Sequence, residues 1–378
     1  MIFNNEYKYL IHLLSCALNN EQPEDIPENL SLEKVFEYGK IHEVANIAFL
    51  AVKRLKTPPS PELLKEWNEY YWKAIQRDTV QKNTRAEVID ALHSNGIYTL
   101  EVQGTVVKKY YPQSHLRMMT DIDIIVPGDK LKELPQIMRE IGYTSEFLHN
   151  NTEIHSKKNQ MLIEFHSEFF DSEQNVYNAL NNPFARTTLN GDYIASLSDT
   201  DFYLFHLLHT LKHATEWHGI GIRRIVDLFY LEKVMPEKAD YNYIDEVLKA
   251  NGLYEIKVKL LALKDMWFNS TEPEADLSEL EAEILQAGNH GKEDIYYKHK
   301  FIKEQSDGKR FVKFKYLLSF LFPNKSLVYA AHPFCEKHHF PAVLCWLFRF
   351  AFLFNPKKLK AFKRVYTNLG FKTEESEK

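Results

Sequence analysis

Asp121 and Asp123 stand two residues apart within Leu116-Arg117-Met118-Met119-Thr120-Asp121-Ile122-Asp123-Ile124-Ile125-Val126. The β-branched residues around them predict a strand, and a strand's period of two puts both carboxylates on one face. Carboxylates a few Å apart repel each other unless a cation lies between them, and hard divalent cations take oxygen ligands of this kind. Glu164 lies on a later β-type run, Gln160-Met161-Leu162-Ile163-Glu164-Phe165-His166, 41 residues after Asp123. If that run pairs beside the first strand, its carboxylate completes a cluster of three; Glu168, on the same alternation, is the substitute. Gly104-Thr105 follows a short β-rich run, 97–102, and opens a short helical stretch, 106–111. Such a junction attracts phosphate: glycine allows close backbone approach, free N–H groups point outward, and the threonine hydroxyl donates. Carboxylates for a metal beside donors for phosphate are the parts that metal-dependent phosphoryl or nucleotidyl transfer requires.

Other polar residues have competing readings. His206, His209 and His213 fall at i, i+3 and i+7 on one helical face, suited to a transition metal, to lining a cleft, or to plain structure. His166 shares the face of Glu164 and could support a ligand or the fold. Arg223 and Asp227, four apart on one helix, predict an intrahelical ion pair.

The elements that must position these residues are mostly helical. Residues 6–18 and 32–55 have amphipathic spacing. Thr57-Pro58-Pro59-Ser60-Pro61 breaks the pattern, with Ser60 an N-cap and Pro61 at the first helical position. A long helix then runs to Ser94 and ends at Asn95-Gly96. A helix over 129–141, hairpin strands at 143–149 and 152–157 around Asn150-Asn151, and the Glu164 strand follow the Asp-x-Asp strand. Helices resume at 199–216, 222–234, 243–251 and 254–267. The expected fold is α+β, a small mixed sheet flanked by large helical N- and C-terminal regions. Its expected divisions are a helical region 1–94, a core 95–195, a helical region packing on it 196–270, and a basic helical region 271–378.

Composition narrows the setting. The 378 residues carry a net charge of −5, with 44% hydrophobic residues and three scattered cysteines, as in a cytoplasmic globular protein. Residues 301–378 hold 15 Lys and Arg against 6 Asp and Glu, a net +9, which suits an anionic partner or a membrane surface as well as a solvated face. The start of the chain lacks a basic region followed by an apolar one. The longest apolar run, 341–354, is interrupted by Arg349 and too short to span a bilayer.

The order of strand, Gly-Thr, helix, Asp-x-Asp strand and later acidic strand resembles the polymerase-β-like nucleotidyltransferase superfamily. Gly104, Tyr111-Pro112, Arg117 and Asp121-Ile122-Asp123-Ile124-Ile125-Val126 resemble, more narrowly, an uncharacterised bacterial nucleotidyltransferase family. His42-Glu43-Val44-Ala45, Ile163-Glu164-Phe165-His166, His206 to His213 and 221–228 extend the likeness. The resemblance implies Mg²⁺, or Mn²⁺, held by Asp121, Asp123 and Glu164. It implies an NTP, ATP among the choices, bound through Gln103, Gly104, Thr105, Lys108 and Arg117, and transfer of its nucleoside monophosphate to an unidentified hydroxyl with release of pyrophosphate. Gln103 stands where that family usually has Lys, so a hydrogen bonder replaces a point charge, and Lys108, Lys109 or Arg117 would have to compensate. The departure motivates a rival reading, a catalytically weak or inactive nucleotide-binding scaffold. A sugar-nucleotide glycosyltransferase also uses Asp-x-Asp, but needs a longer parallel α/β unit before the motif.

Overall fold

The computed structural model describes residues 5–149, 152–170, 180, 182–215 and 219–288. The chain divides into two compact units, Met1–Lys212 with Ile220–Asn289, and His213–Gly219 with His290–Lys378. Most of the second, including the basic stretch 301–378 and the apolar run 341–354, lies outside the described residues, as do Asn150 and Asn151.

The first unit opens with α1 (Asn5–Asn19), α2 (Leu32–Ile41) and α3 (Ala45–Val52). The amphipathic stretch 32–55 is therefore two helices. The break falls at His42-Glu43-Val44, where Glu43 takes a left-handed φ of +54°, because His42 and Glu43 are both drawn to a helix far along the chain. The long helix α4 (Pro61–Ser94) starts as its sequence dictates: Pro61 occupies the first turn and the Ser60 hydroxyl accepts from Leu63 N–H at 3.3 Å. Gly96, at φ +71°, ends it.

The sheet comprises β1 (Thr99–Glu101), β2 (Asp121–Ile125), β3 (Thr144–His149), β4 (Thr152–Ser156), β5 (Leu162–His166), β6 (Thr187–Asn190) and β7 (Ile194–Leu197), in the order β3-β4-β5-β2-β1-β7-β6. The β2–β5 and β1–β7 pairs are parallel and the others antiparallel. A single turn, α5 (Gly104–Val107), follows β1, and α6 (Leu134–Glu140) connects β2 to β3. The unit continues with α7 (Asp199–Thr215), which belongs to it as far as Lys212, and with α8 (Ile222–Leu231), α9 (Tyr241–Ala250), α10 (Tyr254–Phe268) and α11 (Ser278–Ala287). The fold is α+β, as the sequence predicts. Among the described residues no helix is long and apolar enough to cross a membrane.

One face of the sheet is committed to the core. Ile122 and Ile124 of β2 and Ile163 and Phe165 of β5 pack with Val88, Ile89 and Leu92 of α4 and Leu134, Ile137 and Met138 of α6. Each fully buried side chain of this kind contributes about 1.5–3 kcal/mol. Because side chains alternate, burying these four forces Asp121, Asp123, Glu164 and His166 onto the opposite face. A one-residue slip would drive the carboxylates into the core, so the apolar residues set the register of the acids.

On that opposite face α8 is tied to the segment leading into β2. Arg117 Nε and Nη2 donate to the two carboxylate oxygens of Asp227, each at 2.9 Å, and the Tyr111 hydroxyl donates to the same carboxylate at 2.6 Å. All three side chains are buried. Burial alone would raise the Asp227 pKa; the Arg117 charge and hydrogen bonds overcome it and hold the carboxyl at about 2. Its stabilising effect is therefore complete above the ordinary aspartate pKa and lost as pH falls through about 2. Asp227→Asn leaves Arg117 without its counter-charge and should destabilise the protein by about 3–5 kcal/mol, read by urea denaturation at neutral pH.

Candidate active site

Parallel pairing sets Asp123 directly against Glu164 and Ile125 against His166. One donor atom from each of Asp123, Glu164 and His166 lies within 4.8 Å of the others, the one such cluster of three among the described residues. His166 Nε2 is 3.3 Å from Asp123 Oδ1 and 3.9 Å from Glu164 Oε2, while its Nδ1 is 3.1 Å from the Thr152 hydroxyl on β4. Asp123 is buried, and Glu164 and His166 are about three-quarters covered.

The carboxylates load this face with like charge. Burial first, then Asp123 and Asp121, push the Glu164 carboxyl up to about 7, with His166 opposing. Asp121 is raised too, by burial and then by Asp123, while Arg223 and Arg117 pull it down. Asp121 is thus electrostatically part of the site, although the triangle of donor atoms is formed by Asp123, Glu164 and His166. His166 is the residue whose part the sequence left open; its place two positions after Glu164 on a strand was the available signal.

The loop after β1 is under strain. Gln103 has φ +50° and ψ −127°, a region that side-chain-bearing residues rarely occupy, at a cost of about 1–3 kcal/mol. A Cβ at Gly104 would meet Met119 Cε at 2.7 Å and lie still closer to Arg117 Nη1, whose guanidinium is held in place by Asp227. Glycine here serves the approach of the Arg117 side chain. Thr105 is buried and its hydroxyl has no hydrogen-bond partner among the described residues. Lys108 turns to α4, where its ammonium donates to Asp78 at 2.6 Å and to Gln81. Of the cations that could offset Gln103, Lys108 and Arg117 are thus both held in buried ion pairs.

The helices behind this face correct one expectation. Arg223 forms no pair with Asp227; its Nη1 donates to Glu43 and, at 2.7 Å, to Met118 O. The geometric reason is that Arg117 occupies both oxygens of Asp227. Ile222 N–H donates to His42 Nδ1 at 3.2 Å, which accounts for the bend between α2 and α3. Of the α7 histidines, His206 is buried, and desolvation lowers its pKa to about 3, so it is neutral. His209 Nδ1 lies 3.4 Å from Arg224 Nη2. His213 belongs to the second unit.

Residues 29–269 match the family described as uncharacterised nucleotidyltransferases. Among solved structures, the chain is similar to the antibiotic-resistance factor ANT(2'')-Ia in solution, with TM-score 0.34, 12% identity, and 50% of this chain and 97% of that chain covered. It is similar to crystalline ANT(2'')-Ia in complex with adenylyl-2''-tobramycin at TM-score 0.24 and 12% identity, over 49% and 95% of the two chains. The Megavirus polyadenylate synthase gives TM-score 0.32 and 17% identity, over 48% and 39%. No curated protein matches the sequence.

The raised Glu164 pKa has a consequence for stability. An acid whose pKa rises on folding favours the folded state below its unfolded pKa, and that contribution is lost as pH rises through about 7. Glu164→Gln should therefore leave chelator-treated protein little changed at pH 4 and stabilise it at pH 8. The expected gain is on the order of 1 kcal/mol, reduced by partial exposure, and differential scanning calorimetry at the two pH values measures it.

Proposed function

The chain belongs to the family of uncharacterised nucleotidyltransferases, and from that premise we propose that it transfers a nucleoside monophosphate from an NTP to a hydroxyl acceptor, releasing pyrophosphate with the help of a divalent metal. The observation that carries this reading is the register of Asp123 against Glu164 on adjacent parallel strands, with His166 in the same 4.8 Å group. The donor set fits a hard divalent ion: carboxylate oxygens and one imidazole, brought together at an electrostatic cost that a cation would relieve. Asp121, Asp123 and Glu164 would hold Mg²⁺ or Mn²⁺, with His166 beside them. Such an ion neutralises phosphate oxygens and acidifies the acceptor hydroxyl.

In this reading the acceptor oxygen forms a bond to the α-phosphorus as the bond from that phosphorus to the α–β bridging oxygen breaks and pyrophosphate departs. Glu164 either ligates the metal that activates the hydroxyl or takes the hydroxyl proton as its base. The buried Thr105 hydroxyl donates to a phosphate oxygen, and Gln103 contributes a hydrogen bond without charge. A second reading, nucleotide binding without turnover, draws support from Gln103 together with the engagement of Lys108 and Arg117 elsewhere.

Pyrophosphate release from ATP, GTP, CTP and UTP, assayed with Mg²⁺ or Mn²⁺ against a panel of sugar, aminoglycoside and RNA hydroxyls, separates the two. Turnover that falls on the order of 10²–10³-fold in Asp123→Asn is the expected outcome. Metal-dependent nucleotide binding without release across the panel would favour the second reading.

A further inference from the structure

Three arginines line the helical side of this face, and two are accounted for. Arg117 is bound by both oxygens of Asp227, and Arg223 by Glu43 and Met118 O. Arg224 differs. Its Nη2 faces a single imidazole nitrogen at 3.4 Å, its Nη1 is buried without a hydrogen-bond partner, and among the described residues no carboxylate lies within ion-pairing distance of it. Its strongest electrostatic partner, Asp227, is already bound by Arg117, and buried polar atoms such as Nη1 are rarely left unpaired.

The surroundings of Arg224 contain more unmet hydrogen-bonding capacity. His206, close enough to feel the Arg224 charge, has a buried and unpartnered Nε2. Thr210, one turn further along α7, has an unpartnered buried hydroxyl. Arg224 feels the Asp227 carboxylate most strongly and, more weakly, that of Asp123 in the acidic cluster. A ligand that satisfies Arg224 would be anionic and supply acceptor oxygens, and a planar guanidinium suits phosphate in particular.

We propose that Arg224 binds the polyphosphate of the nucleotide, supplying from α8 the positive charge that Gln103 does not bring to the loop after β1. The inference rests on reading this face as a nucleotide site, and deepens it by naming the cation. Arg224 acts here by binding and placing the phosphates.

The test uses the full chain with two probes, inorganic tripolyphosphate and ATP, each titrated calorimetrically with and without Mg²⁺. Arg224→Met should weaken tripolyphosphate binding by at least about tenfold, with Arg224→Lys in between. Because Arg224 holds no ion pair among the described residues, the ligand-free Arg224→Met variant should melt no lower than the wild type. Tripolyphosphate should raise the melting temperature of the wild type and not of Arg224→Met. Wild-type protein that binds no tripolyphosphate, or Arg224→Met binding it as the wild type does, overturns the proposal. A variant that melts lower while binding is unchanged does the same, identifying a structural role in which a carboxylate elsewhere in the chain holds Arg224. The two readings fail separately. Arg224-dependent ATP binding without pyrophosphate release sinks the transferase reading alone, and pyrophosphate release with an NTP KM unchanged in Arg224→Met sinks this one alone.

Discussion

The fork of hydrogen bonds between Arg117 and Asp227 is the constraint on which the rest of the site depends. It is buried, bidentate and reinforced by the Tyr111 hydroxyl. A pair of this kind contributes little net stability compared with an apolar replacement, but it is strongly specific, since either charge alone would be stranded. It fixes α8 against the residues that lead into β2 and presses the Arg117 side chain onto Gly104. Arg223 adds a second tie from the same helix, to Met118 O and to the bend between α2 and α3. Segments separated by more than 100 residues thereby meet at one place.

Around that fixed point the protein holds energetically unfavourable arrangements. Carboxylates crowd one face of β2 and β5, Glu43 and Gln103 sit at positive φ, and Arg224 has no carboxylate partner among the described residues. Each opposes folding when considered alone. They persist because the other face of the same strands buries Ile122, Ile124, Ile163 and Phe165 against α4 and α6, so that the core overrides local preference. Concentrations of strain and like charge in otherwise well-packed proteins mark places where binding supplies the missing partner.

Legibility from sequence varied by element, for physical reasons. The Asp-x-Asp and Glu164 strands were readable because apolar alternation with a period of two dictates both the strand and its buried face. The start of α4 was readable from Ser60 and Pro61, whose local chemistry needs no partner. The β6–β7 hairpin was not: four-residue strands such as Thr187–Asn190 carry too little pattern, and β7 is held by parallel pairing with β1. The break between α2 and α3 was hidden inside a continuous amphipathic stripe, because its cause lies in α8. Arg223 and Asp227 were correctly placed on one helix, yet i, i+4 spacing permits a pair without requiring one, and Arg117 competes successfully for the carboxylate.

The amino-acid sequence by itself determined which residues could carry chemistry, and that Asp121, Asp123 and Glu164 would leave their strands on faces opposite the apolar residues. These are consequences of residue type and strand period, which act locally. Tertiary structure decided which of those groups meet: that β5 lies beside β2 in parallel register, that His166 closes the triangle, that Lys108 is turned away to Asp78, and that Arg117 takes the carboxylate Arg223 was expected to hold. Such outcomes follow from competition among distant groups for a few buried partners, and no local pattern encodes the winner.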